Sequence, residues 1–121
     1  MKPLLSGQIP SFLDRFSNFE GAVIQDISII SPTQISCIFE LQDKQRQFDW
    51  IKLTIDFFGI KNARLLQTQH YDHVEIDEGI SLIYDSTLFG FCIGQYKTIK
   101  ALEDASCFII ADTVKYKEDQ L

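Results

Sequence analysis

The sequence predicts a mainly β, α+β fold: one antiparallel, strongly twisted meander sheet of about six to eight strands with a short N-terminal helix. Three observations carry this. Ile51, Leu53, Ile55 and Phe57 alternate with Lys52, Thr54 and Asp56, the period-two pattern of a strand with one buried and one wetter face. The same alternation occupies Gln34 to Leu41, with Ile35, Cys37, Phe39 and Leu41 on one side. Short links rich in turn-forming residues separate successive strands, which favours antiparallel neighbours over βαβ crossovers. Closure into a barrel and folding into two packed layers both satisfy this pattern.

In chain order, residues 1–10 read as a loosely held lead-in. Ser11 is a good N-cap and Asp14 takes the capping-box position, so a helix of about two turns is expected. Phe12, Leu13, Phe16 and Phe19 then fall near one helical face, and Asn18 is the expected stop. Ala22 to Ile30 is rich in β-branched residues and reads as a long strand, followed by a turn at Ser31-Pro32-Thr33. The polar run Gln42 to Gln47 reads as a hairpin loop. After the strand around Ile51 to Phe57, Gly59-Ile60-Lys61-Asn62 supplies turn chemistry. Ala63 to Leu66 would then return as an antiparallel partner.

Gln67 to Glu78 is polar and acidic, a long loop or a weak edge strand around Val74 and Ile76. Gly79 to Asp85 and Leu88 to Tyr96 read as paired strands about a Ser86-Thr87 turn. Gly90 and Gly94 mark a bend or the close approach of another backbone. Lys97 to Asp104 has room for one helical turn. Ser106 to Ala111 closes the sheet, Val114 to Tyr116 extends it, and Lys115 to Leu121 is expected to fray into water.

A chain of 121 residues with 45% apolar and 23% charged residues fits one domain, residues 1–121, with its own core. No apolar run is long enough to span a bilayer, and the opening MKPLLSGQIP lacks a secretory pattern, so a cytoplasmic protein is expected. Eleven basic residues are scattered among seventeen acidic ones, a net charge of −6. That balance argues against nucleic acid and anionic membrane, and permits a basic protein partner.

No catalytic or cofactor motif is present, so neither a cofactor nor a metal is expected. Cys37, Cys92 and Cys107 lie far apart within apolar stretches and read as buried thiols. His70-Tyr71-Asp72-His73 is the most metal-like stretch, but it lacks HExxH spacing and reads as a solvated acidic loop. Asp26 and Asp56 are expected to face water on the polar side of the sheet. Phe48, Trp50 and Phe58 share the face opposite Ile51 to Phe57. They are either covered by a helix or loop, or exposed as an aromatic patch for a partner.

From Phe19-Glu20-Gly21-Ala22-Val23-Ile24 onward the chain resembles small bacterial immunity-type proteins of polymorphic toxin systems. Those proteins open with a short helix, a phenylalanine, a small-residue turn and an alternating strand. They continue with an aromatic-Gly-aliphatic turn, here Phe57-Phe58-Gly59-Ile60, and close with an aliphatic strand and a charged tail, here Phe108 to Ala111 and Tyr116 to Glu118. Where their pattern has His-Asp before the alanine, this chain has Glu20-Gly21. The resemblance implies an acidic, non-catalytic protein that binds and blocks a cognate toxin. Asp72, Glu75, Asp77 and Glu78, with Trp50, are the candidate partner-binding residues. Two other readings stand beside it. One is a small-ligand carrier or enzyme using a cavity inside the curved sheet near His70, Tyr71, Tyr84 or Cys92. The other is a structural subunit that pairs with a copy of itself, a homodimer.

Overall fold

The computed structural model describes residues 1–65 and 74–121. Its elements are β1 (Lys2–Pro3), α1 (Ile9–Arg15), β2 (Val23–Ser31), β3 (Gln34–Asp43), β4 (Asp49–Arg64), β5 (Val74–Glu75), β6 (Ile80–Asp85), β7 (Leu88–Ile93), α2 (Ile99–Leu102) and β8 (Phe108–Gln120). The strands form one antiparallel sheet in the order β5-β2-β3-β4-β8-β7-β6, with β1 alongside β8. Two runs of sequential strands, β2–β3–β4 and β6–β7–β8, are joined by the β4–β8 ladder. The sheet is not closed into a barrel. The weak edge strand expected around Val74 is β5, which pairs with Val23 and Ile24 of β2.

The hairpin expected at Gly59 to Asn62 does not form, because β4 runs unbroken for 16 residues. Gly59 does adopt a positive φ of 69°, but as a bulge within the strand. Its N–H and that of Ile60 both donate to the Thr33 carbonyl, at 2.8 and 3.3 Å, and the register against β8 slips between Ile60 and Asn62. Beyond this point β4 leaves β3 and continues along β8, where Ala63 pairs with Ile109 and Arg64 with Phe108. Turns and bulges both call for a residue tolerant of positive φ, so composition alone does not separate them.

A second correction concerns the C-terminal stretch. Lys115 to Gln120 does not fray; it is laddered to β4, from Lys115 opposite Asp56 to Gln120 opposite Ile51, with β1 along its other side at Lys115 and Tyr116. The inward positions of this stretch include Glu118, a charge that finds partners rather than water. The helix also starts earlier than expected. It begins at Ile9 with Pro10 in its first turn, where a missing N–H leaves no gap in the helix, and Ser11 Oγ donates to the Gln8 carbonyl at 3.0 Å. Asn18, the expected stop, has φ 55°.

The ring centroids of Phe39 on β3 and Phe91 on β7 lie 6.2 Å apart. These strands are three ladder steps apart, ~14 Å in a flat sheet, so the sheet must curve to bring the rings together. The concave face buries Ile24, Phe39, Leu53, Ile55, Phe57, Phe91 and Ile109. Phe12, Phe16 and Phe19 cover it, with Phe19 edge-on to Phe39 at 5.2 Å. On the opposite face, Cys92, Phe108 and Ile110 are covered by Leu102 of α2 and by Ala105. Gly90 permits that contact: a Cβ there would lie 2.6 Å from Leu102 Cδ2.

Candidate functional site

The β3–β4 connection is built from the end of β3 upward. Asp43 caps a single 3-10 turn, Lys44–Arg46, by accepting from the Gln45 N–H at 3.0 Å. Gln47 and Phe48 then take φ of 56° and 64°, which reverses the chain and returns the Phe48 N–H to the Asp43 carbonyl at 2.9 Å. Gln42 Nε2 donates to the Phe48 carbonyl at 3.2 Å. Trp50 stands opposite Gln42 on the convex face. The result leaves Phe48 52% and Trp50 46% exposed, although most large apolar side chains of the chain are shielded. Beside them lies an open groove of about 640 Å³, lined by Gln45, Gln47, Asp49, Trp50, Gln120 and Leu121 among others. Phe58, the third member of the predicted aromatic face, is half-buried, with the Lys115 ammonium 5.4 Å from its ring centroid.

An ion network centred on the buried Asp43 supports this end of the sheet. Arg15 of α1 donates from Nε and Nη2 to the two Asp43 oxygens at 2.8 and 2.7 Å, and Nη2 also reaches Glu118 of β8 at 3.3 Å. Lys2 of β1 closes on Glu118 at 2.6 Å, and Arg46 stands 3.5 Å from Asp43. The Arg15 hydrogen bond holds the Asp43 carboxyl below its ordinary range, against the opposing effect of burial. Burial pushes the Glu118 carboxyl up, but hydrogen bonding and charge from Lys2 and Arg15 outweigh it, and the net shift is downward. Reading the sequence as loop from Gln42 onward missed this network. The signal was present: the inward alternation Ile35, Cys37, Phe39, Leu41 reaches Asp43 at its next step.

Asp77 and Glu78 are exposed in the link between β5 and β6, where Gln95 Nε2 donates to the Glu78 carbonyl at 2.8 Å. Asp72 lies outside the described residues, as do His70, Tyr71 and His73; of Glu75 only the backbone place in β5 is described. That place is three ladder steps, ~14 Å, from Lys52 on β4. Trp50 and the backbone place of Glu75 are therefore not neighbours in the ladder.

Tyr84 and Cys92 do not share a cavity either. Tyr84 is exposed and packs edge-on against Phe89 at 4.8 Å, while Cys92 lies beneath α2 on the other face. A smaller groove of about 240 Å³ runs past Leu5, Tyr84, Phe89 and Thr113. Cys37 and Cys107 are fully buried, and burial pushes the Cys37 thiol well above its ordinary value. Asp26 is exposed, as expected, and accepts from Ser28 Oγ. Asp56 is half-buried on the convex face, with Gln34 Nε2 3.3 Å from Oδ2 and Lys115 opposite in register. Among the described residues no three His, Cys, Asp or Glu side chains converge as a metal site, and no helix is long and apolar enough to cross a membrane. No family model matches this chain, and no curated protein or solved structure is significantly similar to it.

Proposed function

We propose that this chain is a non-catalytic protein-binding module of the immunity type, which neutralises a basic toxin domain by docking against it. The observation that carries the reading is the exposed pair Phe48 and Trp50 at a turn with two consecutive positive φ values, where Trp50 lines an open groove. Eight of the ten phenylalanines are buried, so an exposed Phe beside an exposed Trp is a departure from how this chain treats its aromatics. Tryptophan is enriched among interface anchors because it removes a large rigid surface from water at small entropic cost. The net charge of −6 and the exposed acids Asp77 and Glu78 support a basic partner, since complementary charge accelerates encounter and rejects acidic competitors.

The test is to co-express the chain with the protein encoded by the neighbouring gene. A stoichiometric complex on size exclusion and protection of growth are the expected results. Phe48→Ala and Trp50→Ala together should weaken that complex by roughly 30-fold, the size of an interface hot spot, while leaving the fold intact. Asp77→Asn with Glu78→Gln should lower the association rate and its salt dependence. Absence of a complex, or an affinity indifferent to all four substitutions, rejects the reading.

A further inference from the structure

We infer that the part of the convex face left open by α2, across β2, β3, β4 and β8, is where this chain pairs with a second copy of itself about a two-fold axis. Among the described residues no helix lies over this part; α2 and Ala105 shield the stretch around Cys92, Phe108 and Ile110. The ladder sets its charges in straight rows. Glu40 on β3 stands opposite Lys52 on β4, and Lys52 opposite Asp119 on β8. Asp26 on β2, Ile38, Thr54 and Lys117 form the next row, and Ser28, Ser36, Asp56 and Lys115 the one after. Among the described residues Asp26, Glu40 and Lys52 form no ion pair, and Lys117 only approaches Asp119, at 3.9 Å.

Three lysines stand here against four acids, an excess of one negative charge in a chain of net charge −6. Two copies therefore repel each other least through this face. An axis lying in the face, parallel to the strands and between β3 and β4, lays each row on the same row of the second copy with the strand order reversed. Glu40 then meets Lys52 and Asp26 meets Lys117, each pair twice, as an isologous contact requires. Asp56 and Lys115 meet serines of β3 and β2, Asp119 meets Val23, and no two like charges meet. The flexible four-carbon stem of lysine spans the gap that opens between two convex faces away from the axis. Other axes fit worse. One along β3 sets Glu40 on Glu40, one along β4 sets Lys52 on Lys52, and one between β4 and β8 leaves Asp26 and Glu40 outside the contact.

Sedimentation of the full chain at about 0.1 mM and low salt should give the mass of a dimer, and about 0.5 M sodium chloride should weaken it about tenfold by screening these pairs. Asp26→Lys with Glu40→Lys, and separately Lys52→Glu with Lys117→Glu, should each weaken self-association about thirtyfold or more, because attractions become repulsions. An equimolar mixture of the two variants should dimerise as the native chain does, since every pair regains opposite charges. Circular dichroism checks that each variant is folded. A monomeric native chain, a dimer indifferent to salt, variants that still self-associate, or a mixture that stays monomeric overturns the pairing. Trp50 stands one row further along β4, opposite Gln42, so the toxin-binding reading and this one are tested apart.

Discussion

Arg15 and Asp43, 28 positions apart in sequence, form a two-pronged ion pair at 2.8 and 2.7 Å that fastens the N-terminal helix to the end of β3. Asp43 is fully buried, and Glu118 shares the same guanidinium, so one arginine joins α1, β3 and β8.

The pair predicts a specific pH dependence. Both carboxyls titrate below their ordinary values when folded, so on acidification the unfolded chain takes up protons first. Their contribution is fully present above the unfolded carboxyl pKa of about 4 and is lost as pH falls through the lower folded values. Urea midpoints should hold steady at neutral pH and drop below about pH 4. Asp43→Asn leaves a part-buried guanidinium with one carboxylate fewer and should cost about 3 kcal/mol at pH 7, with a flatter acid limb. An unchanged acid limb in that variant would remove the network from the account.

Packing on the convex face turns on Gly90. An added methyl would lie 2.6 Å from Leu102 Cδ2 and 3.3 Å from Ile99 Cγ1, and Leu102 is itself fully buried. Gly90→Ala should therefore destabilise by about 1–3 kcal/mol. In the Gly90→Ala, Leu102→Ala double variant the two costs should sum to less than their separate values, because the second change vacates the space the first needs. Strict additivity in chemical denaturation would show that α2 does not press on β7 there.

The β6–β7 hairpin turns through Ser86 and Thr87 at φ of 52° and 70°. Two positive values suit Asn-Gly, whereas a β-branched threonine resists this region. Ser86→Asn with Thr87→Gly should stabilise the chain by about 1 kcal/mol, read as a raised urea midpoint. A lowered midpoint would mean that these side chains contribute more to the hairpin than its backbone shape does.

Burial pushes the thiols of Cys37 and Cys92 upward and away from the thiolate form. Both should resist a disulfide reagent at pH 8 in the native chain and react once urea unfolds it. Rapid native labelling of either would contradict their place beneath the two apolar layers.

The alternation of Ile35 to Leu41 and of Ile51 to Phe57, the turns at Ser31-Pro32-Thr33 and Ser86-Thr87, and the aromatic face of the N-terminal helix were all legible in the sequence. Each is a local matter: side chains two apart on a strand, or three and four apart on a helix, share a face, so burial leaves its period in the chain. Tertiary structure alone decided that Gly59 bends a strand rather than ending it, because that depends on whether Thr33 is there to receive two N–H groups. It also decided that the charged C-terminal stretch is laddered to β4, since Glu118 can turn inward only where Lys2 and Arg15 come to meet it. For the candidate site, the sequence identified Trp50 as an aromatic without an assured cover. Its exposure beside Phe48, and the exposed carboxylate of Asp49 at the same groove, followed from the turn and the ladder that place them. The alternation of β3 carries Asp43 inward, but nothing near it in sequence names Arg15 as its partner, because a pairing between distant residues leaves no period.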